Sequence, residues 1–312
     1  MAGLDNMQGD AGEAVLVYDR IGTNKRQTWI MMAIFVLAAG GFATLIGYVA
    51  GLPIAASPFI VGALIVYAMF SYYASAGVAL AVSSAHAATR EDEPELYRVV
   101  ENLSIGSGLP MPKVYVIEDS APNAFATGRD PKHASVTATR GLLDKLDKPE
   151  LEAVIAHEIS HVGNYDIRVM TITVVLVGVI ALLADLFMRW TWFGSGSRSS
   201  NKDRGGAFAI LVVVAIILAI LAPIAARVIQ LAISRQREYL ADASGALLCR
   251  NPDALARALE KISADPEPLE VANKATAHLY FSNPLREHAS FLNNLFSTHP
   301  PVEERIRLLR AM

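Results

Sequence analysis

The chain has 312 residues, 53% of them hydrophobic and 18% charged, with a formal net charge of −3 and a mean hydropathy of +0.35. This balance is too apolar for an ordinary soluble protein and assigns part of the chain to lipid, while the absence of any basic stretch interleaved with aromatics excludes nucleic-acid binding. The single cysteine, Cys249, has no internal partner for a disulfide and suits a small buried residue in a reducing compartment.

Residues 1–28 are expected to form a cytoplasmic N-terminal segment, followed by a transmembrane hairpin over 29–82. Trp29 to Val49 and Phe59 to Val82 carry no charge, and as helices each is long enough to cross a hydrocarbon core of roughly 30 Å. The connection from Ala50 to Pro58 is uncharged and holds two prolines, which suits a tight turn on the far side of the membrane. The first run starts too late and is too long for a cleaved signal peptide.

A first catalytic part is expected over 90–166. A helical pattern from Glu93 to Leu103 precedes a short strand between Lys113 and Glu118. Ala124–Thr127 and Ala134–Ala138, separated by a stretch containing Gly128-Arg129-Asp130-Pro131, read as a hairpin whose edge can take an extended peptide. Next, Asp147 as N-cap, Pro149 in the first turn and Glu150 as capping-box partner start a helix whose apolar stripe includes Leu151, Val154, Ile155, Ile159 and Val162. Gly163-Asn164 interrupts it.

That helix carries His157-Glu158-Ile159-Ser160-His161. Histidines four apart share one helical face and can grip a zinc ion, and Glu158 is placed to take a proton from water beside the metal. The pattern indicates metal-dependent peptide hydrolysis, in which Glu158 passes the proton on to the departing amine.

A second hydrophobic hairpin is expected over 167–233. Ala207 to Ala226 is free of charge, whereas Val169 to Ala184 is shorter and leads into Asp185 and Arg189. Lys and Arg before the first run and after the fourth place both termini in the cytoplasm. Arg189, Arg198, Lys202 and Arg204 between the third and fourth runs disagree, which leaves open a shallow or protein-covered third segment.

The remaining residues, 234–312, supply what the two histidines lack. A hydrolytic zinc site needs a third protein ligand, and Glu238 is the best candidate. Asp242, one helical turn on, shares its face and can accept a hydrogen bond from the other ring nitrogen of a ligating histidine. A structural zinc site is the competing use, but such sites are usually closed and rich in thiolate. An intramembrane protease with the same motif is disfavoured by Asp144, Lys145, Asp147, Lys148, Glu150 and Glu152, which place the helix in water. The expected fold is thus a mainly α membrane protein with about four transmembrane helices and a cytoplasmic α+β domain close to the membrane boundary.

Three ordered motifs carry a resemblance: Ala-His-Glu-Ile-Ser-His at 156–161, Ser-Arg-Gln-Arg-Glu-Tyr-Leu-Ala-Asp at 234–242 and Phe-Ser-Thr-His-Pro-Pro at 296–301. Together with Pro122–Gly128 and Phe281–Leu285, the chain resembles the HtpX-like bacterial membrane zinc metalloproteases, relatives of the prenyl-protein endoproteases. The resemblance implies a zincin-type, gluzincin-like endopeptidase of the bacterial inner membrane, facing the cytoplasm and engaged in quality control of membrane proteins under stress, with an ATP-dependent membrane protease as a partner. It implies one Zn²⁺ on His157, His161 and Glu238 and catalysis by Glu158, with Asn123 holding substrate backbone and His299 at the oxyanion. His86, His133, His278 and His288 are left as surface or packing residues. The non-enzymatic alternative is a membrane scaffold or inactive homologue that binds clients through the same groove. Substrate identity, oligomeric state and inducing stress are not encoded in any motif.

Overall fold

The computed structural model describes residues 17–49, 53–177, 235–272, 276–282, 284 and 300–312. Helix α1 runs over Val17–Val49 and is followed by a 3-10 turn at Ile54–Ala56 and helix α2 at Ser57–Val82. The first helix therefore begins at Val17 rather than Trp29, so that part of the expected N-terminal segment is its opening turns. Those turns are polar because they dock on protein: Asn24 and Thr28 are buried.

Of the four expected spans, one described helix, Ile54–Val82, is long and apolar enough to cross a membrane. On it, Phe59, Val66 and Phe70 are 80%, 70% and 69% exposed, an apolar surface that suits hydrocarbon and not water. The third expected run begins within α6, helical over residues 166–177. Its Val169, Ile172 and Leu176 are buried against Met31, Phe35 and Tyr72 of the hairpin, so the described part of this segment is covered by protein. The rest of that run and the whole of Ala207 to Ala226 lie outside the described residues.

The rest of the described chain is helical around one mixed sheet. Strands β1 (His86–Ala87), β2 (Lys113–Ile117), β3 (Ala124–Gly128) and β4 (Ala134–Thr139) lie in the order β1-β2-β4-β3, with β4 parallel to β2 and antiparallel to β3. Helices α3 (Pro94–Ser107), α4 (Arg140–Lys145) and α5 (Lys148–Gly163) precede α6, and α7 (Arg235–Cys249), α8 (Pro252–Ala264) and α9 (Val302–Arg310) complete the set. The core lies where α3, α5, α7 and α8 meet the sheet, with Val114, Val136, Val154, Ile155, Ile159, Leu255 and Leu259 all buried. Each such side chain removed from water contributes about 1.5–3 kcal/mol before entropy is counted.

The expected hairpin forms as β3 and β4, and other parts of the chain reach the two ends of its outer edge. All of β3 is buried, Ala124 O accepts from Phe281 N at 2.8 Å, and Gly128 N donates to Thr171 Oγ1 at 3.1 Å. Chain segments distant in sequence thus hold one main-chain group at each end of this strand.

Candidate active site

Helix α5 starts as its sequence dictates. The Asp147 side chain accepts from Glu150 N at 2.9 Å and Glu150 Oε2 accepts from Asp147 N at 3.0 Å, closing the capping box. Glu150 also reaches beyond its own helix, since Lys261 Nζ of α8 lies 2.6 Å from its Oε2, which ties the start of α5 to the helix behind it. From this anchored start, α5 carries His157, Glu158 and His161 into the interior, at 0%, 2% and 3% exposure.

The two imidazoles point their Nε2 atoms at one spot, 3.1 Å apart. Glu238 enters from α7, with Oε1 3.7 Å from His161 Nε2 and Oε2 3.9 Å from His157 Nε2. The three residues offer donor atoms within 4.8 Å of one another. Two nitrogens about 2.0–2.1 Å from a tetrahedral zinc ion are about 3.3 Å from each other, so the donor set fits such an ion with adjustments of a few tenths of an ångström. Its composition, two nitrogens and one carboxylate with no thiolate, is that of a hydrolytic rather than a structural site.

What aims each imidazole is a carboxylate behind it. His157 Nδ1 faces Asp242 Oδ1 at 2.9 Å, and His161 Nδ1 faces Asp166 Oδ2 at 2.9 Å. A carboxylate can only accept, so each Nδ1 is the nitrogen that keeps its proton and each Nε2 is the one turned to the metal. Arg305 of α9 in turn grips Asp242 with two bonds, Nε to Oδ2 at 2.8 Å and Nη2 to Oδ1 at 2.7 Å, and it also donates to Phe281 O at 3.3 Å. The Phe281 ring stands edge-on to the His157 ring, 4.9 Å between centroids.

Burial and charge set the proton affinities. Burial pushes His157 down to about 4 in spite of Asp242. It works the same way on His161, but Asp166 and Glu238 outweigh it and hold that imidazole up at about 9. Burial lifts the Glu158 carboxyl to about 7, although the His161 charge and a hydrogen bond from the Ala126 backbone of β3 pull it down. Burial opposes the charge on Asp242 too, yet Arg305 holds its carboxyl down at about 2. The centre is a crowd of buried carboxylates around two imidazoles, an arrangement that favours a cation.

Of the residues expected at the site, His157, Glu158, His161, Glu238 and Asp242 are brought together. Asn123 is buried, and its amide is engaged: Nδ2 donates to Ser282 O at 3.0 Å while Oδ1 accepts from Ser282 N at 3.2 Å. His299 lies outside the described residues, as does His288. His86 and His133 are exposed, and His278 is buried with Nε2 2.9 Å from Met170 O. Sequence reasoning missed Asp166 and Arg305. Asp166 lies five residues beyond His161, past the helix break, where a search for acceptors close to the ligands would have found it; Arg305 has no local signal at all.

Two imidazoles and a carboxylate held on paired helices beside a mixed sheet define a metalloendopeptidase centre. Known proteins are in line with this geometry: a family model described as "Peptidase family M48" matches residues 90–312. A protease HtpX homolog of Tropheryma whipplei (strain Twist) is 48% identical over 297 residues, covering 95% of this chain and 99% of the relative. One of Dictyoglomus thermophilum is 46% identical over 298 residues, covering 95% and 94%. The crystal structure of S. mikatae Ste24p aligns with a TM-score of 0.46 at 21% identity, over 80% of this chain and 57% of that one. This chain belongs to peptidase family M48, and its activity is that of a zinc-dependent metalloendopeptidase.

Proposed function

We propose that the chain is a multi-pass endopeptidase of the bacterial inner membrane, with its metal centre on the cytoplasmic side, that cleaves membrane proteins or their cytoplasmic segments as part of quality control. The observation that carries this reading is the attachment of the centre to the apolar hairpin. Asp166 opens α6 one step beyond the motif helix, and the described part of that helix buries Val169, Ile172 and Leu176 against α1 and α2. A catalytic centre so close to hydrocarbon reaches chain segments near the membrane surface before any others. The Lys and Arg residues flanking the first and fourth apolar runs favour cytoplasmic termini, and four spans remain the topology that the full sequence supports.

His157, His161 and Glu238 would hold a zinc ion, which when bound would supply Lewis acidity toward water and the scissile carbonyl. Glu158 takes a proton from the attacking water as the water oxygen adds to the carbonyl carbon. The carboxyl then hands the proton to the amide nitrogen as the C–N bond breaks, so water is consumed and one amine and one carboxylic acid are released. Burial raises the proton affinity of this carboxyl in the metal-free protein, which favours its holding the proton between the two steps. Asp242 and Asp166 keep the imidazoles oriented, and Arg305 keeps Asp242 ionised.

The test is direct. Protein purified in detergent under chelator, then given zinc, is compared with Glu158→Gln for cleavage of a membrane-protein substrate and of itself. Wild type should cleave only with zinc, and the variant should bind zinc but turn over at least about 100-fold more slowly. Equal cleavage by the two proteins overturns the role of Glu158; cleavage that survives complete chelation overturns the metal mechanism.

A further inference from the structure

The N-terminal turns of α1 reach into the metal centre. Asn24 is 2% exposed although it is a polar residue on a helix that continues into the apolar hairpin. Its amide nitrogen has two hydrogens and two acceptors: Asp166 Oδ1 at 2.7 Å and Asn164 O at 2.8 Å. Asp166 is the carboxylate whose other oxygen faces His161 Nδ1 at 2.9 Å. Asn24, Asp166 and His161 therefore form one chain of contacts from the first hydrophobic helix to a metal ligand.

Neighbouring contacts reinforce the junction. One turn further along α1, Gln27 Oε1 accepts from Arg237 Nη1 at 3.1 Å, and Arg237 Nε lies 3.8 Å from Asp166 Oδ1. Arg237 immediately precedes the ligand Glu238. Lys25 Nζ sits over the Tyr165 ring at 4.4 Å, and Tyr165 is the residue with φ of 60° that turns the chain from α5 into α6. A buried amide whose nitrogen has two acceptors in reach does more than fill space. It holds Oδ1 of Asp166 while Oδ2 of the same carboxylate faces His161.

We propose that Asn24 is a positioning residue of the metal centre: by holding Asp166 it fixes the tautomer and aim of His161, so that zinc affinity depends on the docking of the first hydrophobic helix. The inference rests on His157, His161 and Glu238 being the zinc site. It does not concern the chemistry carried out by Glu158.

The experiment uses the full chain in detergent. Zinc dissociation constants are measured by competition with a chromophoric chelator, the visible spectrum of the Co²⁺-substituted protein reports ligand geometry, and the thermal midpoint of the chelated protein reports folding. Asn24→Leu, close in shape but without donors, should bind zinc about 10-fold more weakly and shift the Co²⁺ bands, since loss of such outer partners costs about 10–100-fold in affinity. Asn24→Ser, which keeps one donor, should fall between it and wild type. Thr28→Val alters the same buried face of α1, where Thr28 Oγ1 donates to Asn24 O, and should leave zinc affinity within about twofold of wild type. Zinc affinity and Co²⁺ spectrum unchanged in both Asn24 variants would overturn the proposal even if their midpoints fall, because that is the signature of a purely structural residue. Should Asn24→Leu not accumulate in folded form, Asn24→Ser decides alone. Wild type that binds no zinc would instead overturn the metal site on which the inference rests.

Discussion

Gly245 of α7 lies directly against the backbone of His157: a methyl group on it would come within 2.8 Å of the His157 nitrogen and 2.9 Å of its Cα. Gly245 stands two turns from Glu238 and one from Asp242, so all three share the face of α7 turned toward α5. The close approach that the missing side chain permits is what lets Glu238 reach across to the imidazoles.

Gly245→Ala should push α7 away from α5 and lengthen the reach of Glu238. Alanine is the better helix former by about 1 kcal/mol, so propensity alone would stabilise the variant. The contact is backbone on one side and cannot rotate away, so overpacking at a cost of about 1–3 kcal/mol wins. The expected outcome is a lower thermal midpoint together with weaker zinc binding. A variant more stable than wild type and equal in zinc affinity would refute this account of the helix pair.

Glu158 carries a stability cost that its pH dependence should reveal. Burial raises its carboxyl from 4.5 to about 7, so the folded state favours the neutral form. Below pH 4.5 the side chain is neutral folded or unfolded and costs nothing extra; between 4.5 and about 7 only the unfolded chain ionises, and stability is lost as pH rises. In metal-free protein, Glu158→Gln should therefore be more stable than wild type at about pH 8, by up to about 3 kcal/mol, with the gap closing toward pH 4.5. Denaturant titrations at both pH values check it. Added zinc should shrink the gap, because the cation stabilises the carboxylate.

Arg305 and Asp242 form a buried ion pair whose halves should not be separable. Arg305→Met leaves the Asp242 carboxylate buried without its partner, at a cost of about 3–5 kcal/mol, and loosens the aim of His157. Arg305→Met combined with Asp242→Leu removes both charges and should recover much of the stability while leaving zinc affinity low. Unfolding and zinc competition on the single and double variants test this. Zinc affinity restored in the double variant would show that the pair acts on folding alone.

Much of this molecule was legible in its sequence because the relevant forces are local. The capping box at Asp147 and Glu150, the helical stripe behind His157 and His161 and the strands around 113–118 and 124–138 each follow from spacing and turn chemistry over a few residues. Glu238 and Asp242 were found the same way, because a four-residue repeat of acidic groups marks one helical face wherever the helix docks. The partners at the two ends of β3 were not legible. Nothing near Ala124 or Gly128 signals that Phe281 and Thr171 will occupy their main-chain groups.

The sequence by itself determined the ligand chemistry, since two imidazoles at helical spacing with an adjacent carboxylate restrict the metal and the reaction whatever surrounds them. Only the tertiary structure decided how those ligands are aimed. Arg305, Gly245 and Asn24 act across separations of up to 142 residues between partners, and a hydrogen bond or a close approach over such a distance exists only once the chain has folded. Coordination needs atoms placed to within a few tenths of an ångström, and that precision comes from buried partners whose identity no short stretch of sequence records.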